Sequence, residues 1–269
     1  MVQLADQAAQ NLEAVRRKKP LIHNITNYVV MNTTANALLS MGASPVMAHA
    51  VDEVEEMVAF AGALVLNIGT LSDSWVTAMM AAGRRATALK TPIVLDPVGA
   101  GATGLRTRTA KEIIAGMDVT VIRGNASEIL ALRDADSRTK GVDAVHAVDD
   151  AAETAKLLAH ELGTTLAITG ATDLVTDGKQ VLRIENGHPL MACVTGTGCT
   201  ATTITGAFLA VDGDPVSAAA TALAYFGLAG EVAAEKAKAP GSFMVALLDA
   251  LYTITPEVLS SRARISVER

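Results

Sequence analysis

The strongest constraint on the fold is a recurring pattern: short, almost wholly apolar runs, each closing on a polar residue and each followed by a longer Ala-rich amphipathic segment. "ALVLNIG" (63–69), "PIVLDPVG" (92–99), "VTVIRGN" (119–125) and "TLAITG" (165–170) are runs of this kind. A strand that is apolar on both faces must be covered on both faces, which is the condition of a parallel sheet between helical layers. Ligands of such sheets bind beyond the carboxyl ends of the strands. The four tips, Asn67, Asp96, Arg123 and Thr169, therefore form one candidate rim.

Helices are expected over 52–62, 72–90, 107–117 and 149–163, with Ser72 and Asp149 as N-caps. "RRKK" (16–19) reads as the basic end of a first helix. The segment 174–189 carries an Asp-Gly turn between alternating runs, which predicts a β-hairpin forming an antiparallel edge of the sheet. From Thr200 onward the pattern is helical to the end, and with no repeat or linker the 269 residues are expected to form one domain.

Composition removes several function classes. A net charge of −6 with no Lys/Arg concentration beyond the short "RRKK" gives little support for nucleic-acid binding. Two cysteines, Cys193 and Cys199, make neither a disulfide framework nor a zinc pattern and suit a reducing compartment. The N-terminus does not read as a signal peptide, and no apolar run is expected to span a membrane, so the expected location is the cytoplasm.

Several motifs carry chemistry. "DPVGAGATG" contains G-x-G-x-x-G at Gly99, Gly101 and Gly104, but the next strand ends in Arg123 where a dinucleotide fold wants an acid. Leu105 and Arg106 stand where a Walker loop wants Lys and Ser or Thr, and a plain reversing turn is the third reading. Asp96 closes an apolar strand, so its charge needs a cation or hydrogen bonds. Glu128, three residues after Asn125, fits a capping box; equally it fits a partner of Asp96 across water or Mg²⁺. Arg123 suits bidentate phosphate binding, or a surface ion pair. The segment 23–50 is dense in His, Asn and Thr, including Asn27, within an apolar pattern, which suggests hydrogen bonding to a small molecule. Met47 follows a short apolar strand there and reads more as core than as ligand contact.

"VTGTGCT" (194–200) is a Gly-rich turn into a helix, a ready anion cradle at Gly196–Gly198. The same helix start would favour a thiolate at Cys199. Cys199 then reads as nucleophile, as buried filler, or as a group facing a hydroxyl that loses its proton.

Taken together, the 20–50 block, "ALVLNIGTL", "PIVLDPVGAGAT", "IRGNASEI", "AITG" and "VTGTGC" resemble the hydroxyethylthiazole kinase family of the ribokinase-like superfamily, in order from Pro20 to Phe243. The resemblance implies a three-layer α/β fold with a mostly parallel sheet. It implies transfer of the γ-phosphoryl of ATP to the alcohol of 4-methyl-5-(2-hydroxyethyl)thiazole, with Mg²⁺, in thiamine salvage. By the same resemblance Arg123 and Thr169 touch ATP, and Asp96 and Glu128 organise Mg²⁺. Met47 and Gly196, with Asn27 nearby, meet the thiazole, and Gly196 and Gly198 form the anion hole. It further implies a homotrimer with active sites between subunits. Most ribokinase-like enzymes have Asp at the position of Cys199, so the catalytic position is occupied while the role of general base is open. Pyridoxal or hydroxymethylpyrimidine kinases and nucleotide-dependent dehydratases would be expected to carry an acid there; a non-catalytic binder could dispense with Asp96 and Glu128.

Overall fold

The computed structural model describes residues 4–133 and 148–268. Nine strands form one sheet in the order β2-β1-β3-β4-β5-β6-β7-β8-β9. These are β1 (Leu21–Ile25), β2 (Ser44–Val46), β3 (Ala63–Asn67), β4 (Ile93–Asp96), β5 (Val121–Asn125), β6 (Thr165–Thr169), β7 (Asp173–Thr176), β8 (Val181–Ile184) and β9 (Ile265–Val267). The first six are mutually parallel; β7, β8 and β9 each pair antiparallel with the strand before them in the sheet.

Alternation along the strands sends side chains into two cores. Ala63, Val65, Val94, Val121 and Ala167 face the first. Leu64, Leu66, Ile93, Leu95, Ile122 and Leu166 face the second. The first core is closed by α1 (Leu4–Lys18), α2 (Met31–Met41), α8 (Thr197–Leu209), α9 (Pro215–Lys236), α10 (Pro240–Thr253) and α11 (Pro256–Arg262). On the other face lie α3 (Val54–Phe60), α4 (Asp73–Leu89), α5 (Gly104–Gly116), α6 (Ala126–Leu130) and α7 (Val148–Leu162). A mostly parallel sheet between two helical layers is the architecture that two-sided apolar strands require.

Local chemistry sets the boundaries. The four expected strands form; β3, β4 and β6 stop at their polar tips Asn67, Asp96 and Thr169, while β5 runs past Arg123 through Gly124 to Asn125. Ser72 caps α4 by accepting from the Trp75 amide, and Thr103 caps α5, so that helix begins at Gly104 rather than 107. The side chain of Asp149 lies outside the described residues. The hairpin forms as β7 and β8, yet it is not the edge. The chain end, read from its sequence as helical, returns as β9 and covers β8. One further expectation is revised: α9 is, by length and composition, apolar enough to cross a membrane, but 89% of its apolar window is buried inside the protein. Helix α9 is packed as a core helix.

Candidate active site

Because the strands are parallel, their carboxyl ends share one edge of the sheet, and Asn67 and Asp96 are register partners there. Four buried polar side chains interlock at this edge. The Asn27 amide donates to Asn67 Oδ1 at 2.7 Å, and the Asn67 amide donates to Asp96 Oδ2 at 2.8 Å. Thr202, from the second turn of α8, donates to the same Asp96 oxygen at 2.8 Å. The other oxygen, Asp96 Oδ1, is buried without a hydrogen-bond partner among the described residues. Burial pushes the Asp96 carboxyl up to about 6, opposed chiefly by Arg123, whose Nη1 lies 4.0 Å from Oδ2. Glu128 adds to the upward push.

The same Asn27 amide reaches Cys199 Sγ at 3.5 Å, so the expected substrate-side and catalytic positions meet. The surroundings of Cys199 oppose the expected thiolate. Burial, and then the neighbouring Asp96 carboxyl, push the Cys199 thiol up to about 11, against the bonds from Asn67 and Asn27 and the Arg123 charge. Gly196 caps α8 with φ +84°, and a Cβ there would lie 2.6 Å from Val30 Cγ1. Only glycine suits that left-handed turn and its close neighbour. Gly198 sits against Arg123, with Nη1 2.6 Å from where a Cβ would stand. The guanidinium and the amides of the first turn of α8 therefore converge on one spot.

Arg123 Nη2 donates to Thr169 Oγ1, joining the tips of β5 and β6. Its buried Nε has no hydrogen-bond partner among the described residues. Both side chains line a cleft of about 600 Å³ that runs past Gly170, Asp173, Asn186–His188 and Gly198 to Leu223 and Phe226 on α9. Asp173 is the acid that the sequence reading missed. It accepts from the Gly170 amide at 2.9 Å, and burial pushes its carboxyl up to about 6.

Glu128 takes the capping-box role: Oε2 accepts from the Asn125 amide while Asn125 Oδ1 accepts from the Glu128 amide. It does more, since Oε1 accepts from the Gly99 amide at 2.9 Å. The carbonyl of the same peptide, Val98, accepts from Arg106 Nη1 at 2.9 Å, and Arg106 Nη2 reaches the Gly69 carbonyl. Thus the glycine loop is gripped from both sides, with Gly99 at φ +73°. Arg106, weighed only as the wrong residue for a Walker loop, is the tie between the loops after β3 and β4.

Met47 follows the carboxyl end of the edge strand β2, half-buried, and its carbonyl lies 3.1 Å from His49 Nδ1. The His49 ring stacks on Trp75. The polar density of 23–50 is mostly absorbed internally, contrary to its reading as a small-molecule surface. Asn24 bonds to Thr203, Thr34 to the Val30 carbonyl, and Asn36 to Asn32. Asn27 is the member of that set that joins the rim.

A model of the hydroxyethylthiazole kinase family matches residues 12–257. The chain is 66% identical over 258 residues to the hydroxyethylthiazole kinase of Desulfotalea psychrophila, covering 96% of this chain and 94% of that relative. The solved structure of a hydroxyethylthiazole kinase protein from Pyrococcus horikoshii superposes with a TM-score of 0.90 at 48% identity, covering 97% of this chain and 99% of that one. A ribokinase-like superfamily protein from Enterococcus faecalis, 14% identical, superposes with a TM-score of 0.62 over 92% of this chain and 89% of its own, a likeness of fold.

Proposed function

The chain belongs to the hydroxyethylthiazole kinase family, and from that premise we propose that its cleft transfers the γ-phosphoryl of ATP to the primary alcohol of 4-methyl-5-(2-hydroxyethyl)thiazole. One observation carries the assignment to this site. The buried Asn27–Asn67–Asp96–Thr202 rim meets the first turn of α8 beside Arg123, which with Gly198 lines one end of a cleft of about 600 Å³. The nucleotide lies in the cleft, with Arg123 and Thr169 on its phosphates. The thiazole lies on the Met47, Asn27 and Gly196 side. Gly196 and Gly198 open the anion hole, where the amides of α8 and the guanidinium steady charge on the transferring group.

The residues suit Mg²⁺, which keeps its waters and uses a few carboxylates together with phosphate oxygens. Asp96, with one buried oxygen unpartnered, and Glu128 would hold it or its waters, and it would supply neutralisation of phosphate charge. Cys199 occupies the catalytic position as a protonated thiol, so the sulfur orients rather than deprotonates the alcohol. Phosphoryl transfer tolerates this, because positioning and charge stabilisation supply most of the rate.

The proposal extends to one kinase domain over the whole chain, working in the cytoplasm, where its free cysteines stay reduced. It also extends to a homotrimer with sites between subunits, supported by the exposed apolar Tyr28, Val29 and Leu39 beside the substrate segment. Coupled ADP release with the thiazole alcohol, hydroxymethylpyrimidine and pyridoxal tests the reaction. Turnover is expected with the thiazole, and none above background with it would overturn the reading.

A further inference from the structure

The outer wall of the cleft, Asn186–His188, is held in part by residues beyond the 12–257 that the family model matches, Arg262 and Arg264. Asn186 is buried and saturated. Its amide donates to Glu231 Oε1 and to the Arg262 carbonyl, each at 3.1 Å, and its Oδ1 accepts from the Arg264 backbone amide at 2.7 Å. The Gly187 amide also donates to Glu231 Oε1, at 3.0 Å. Arg264 completes the cluster: Nη2 donates to Glu231 Oε1 at 2.7 Å and to the Glu185 carbonyl, and Nη1 to Glu231 Oε2 at 3.3 Å. On the inner side, a Cβ at Gly227 would lie 2.4 Å from the Asn186 carbonyl oxygen, so α9 touches this loop directly. His188 then caps the turn Pro189–Cys193, its Nδ1 accepting from the Leu190 amide.

We propose that Glu231 and Arg264 are positioning residues for the nucleotide: bridging α9 to the chain end, they fix the Asn186–His188 wall, so that the C-terminal strand completes the nucleotide site. The inference rests on the reading that the cleft takes ATP. A half-exposed ion pair alone contributes little to stability. Here, however, one carboxylate collects bonds from two residues of the wall, Asn186 and Gly187, while the guanidinium it pairs with holds the carbonyl of Glu185. The wall gives binding rather than chemistry, because the transferring phosphoryl sits at the far end of the cleft, beside Arg123 and Gly198. A defect in it falls on the nucleotide in ground and transition state alike, raising KM without lowering kcat.

The test uses the full-length chain, with ATP–Mg²⁺ binding by calorimetry alongside steady-state kinetics. Arg264→Ala is expected to weaken ATP about tenfold in both Kd and KM, with kcat and the KM of the thiazole within about twofold. Arg264→Lys keeps the charge but loses the fork that spans Glu231 and Glu185, and should fall between. Glu231→Gln retains an acceptor for Gly187 and gives a second, milder variant should the alanine fail to fold. An unchanged ATP Kd in these variants, while the wild type binds ATP, sinks this inference alone. So does a fall in kcat with KM unchanged. A wild type that does not bind ATP at all sinks the nucleotide reading and this inference with it.

Discussion

The rim at the ends of β3 and β4 and the cleft wall beside β6 to β8 are both polar, and each holds one acid pushed up to about 6, Asp96 and Asp173. They are built by opposite means. The rim is side chain on side chain, fully buried, with Asn27, Asn67, Asp96 and Thr202 drawn from four separate elements of the chain. The wall has one buried side chain, Asn186, and is otherwise backbone tied by partly exposed ion pairs, with Arg264 nearly half exposed. A buried network that loses one member leaves its partners unsatisfied, at about 1–3 kcal/mol each, whereas water replaces a lost surface bond at little cost. The rim should therefore be brittle and tied to the chemical step, and the wall forgiving and tied to affinity.

The largest expected effect is at the rim. Asp96→Ala removes the acid that meets Thr202, Asn67 and Arg123, and should lower kcat by about 10³-fold, the scale of losing one preorganised electrostatic group. Circular dichroism checks folding, and a loss smaller than tenfold would erase the contrast with Arg264→Ala.

Next is the pH dependence. Asp96 must ionise to meet a cation, so log kcat/KM should climb with pH to a plateau, bending near 6. Asp173→Asn should move that bend only slightly, because the wall acid reaches Asp96 only through Arg123, whose charge both carboxyls feel. For stability the sign is reversed. Both acids are raised from 3.8 to about 6 in the folded chain, so the native state binds more protons between these values. Their contribution is present below about pH 4, is lost as pH rises through 6, and is flat beyond. Denaturant unfolding at a series of pH values should show a shallower decline in Asp173→Asn.

The smallest effect is at Cys199. With its thiol at about 11 it stays protonated at neutral pH, so Cys199→Ala should cost only a few-fold in kcat. Iodoacetamide at pH 8, followed by mass spectrometry, should label the exposed Cys193 and spare Cys199. Rapid alkylation of Cys199 would show a thiolate and overturn the assignment.

Much of the rim was legible because a strand buried on both faces leaves its polar tip as the one residue that needs an explanation. Asn67, Asp96, Arg123 and Thr169 all stood out in that way. Thr202 did not, since threonines in helices usually bond to their own backbone, as Thr205 does to the Ala201 carbonyl. Its spacing of three from Cys199, hence a shared helix face, was the available signal. The thiol's state was left open because a helix start, which favours a thiolate, is a local feature, while burial and the Asp96 carboxyl, which oppose it, are tertiary. Strand β1 was hidden by His23 and Asn24, polar residues that are nevertheless buried. The wall was the least legible part. Strand β9 is three residues long beside charged neighbours, and Glu231 and Arg264 come together from 33 residues apart without a motif.

The order of the strands also bears on how the chain is made. From β4 onward each new strand docks beside the one synthesised just before it, β9 only after four intervening α-helices. Helix α8, by contrast, lies against β1, β3 and β4, where Gly206 meets Val65 and Ile22. During synthesis this face of the sheet has only α1 and α2 to cover it until α8 and α9 leave the ribosome, the kind of exposed apolar surface that chaperones shield. The helix that starts at the Gly196–Gly198 turn thus also begins the late cover of that core, so the proposed phosphoryl-binding turn and the seal of this face arrive together in synthesis.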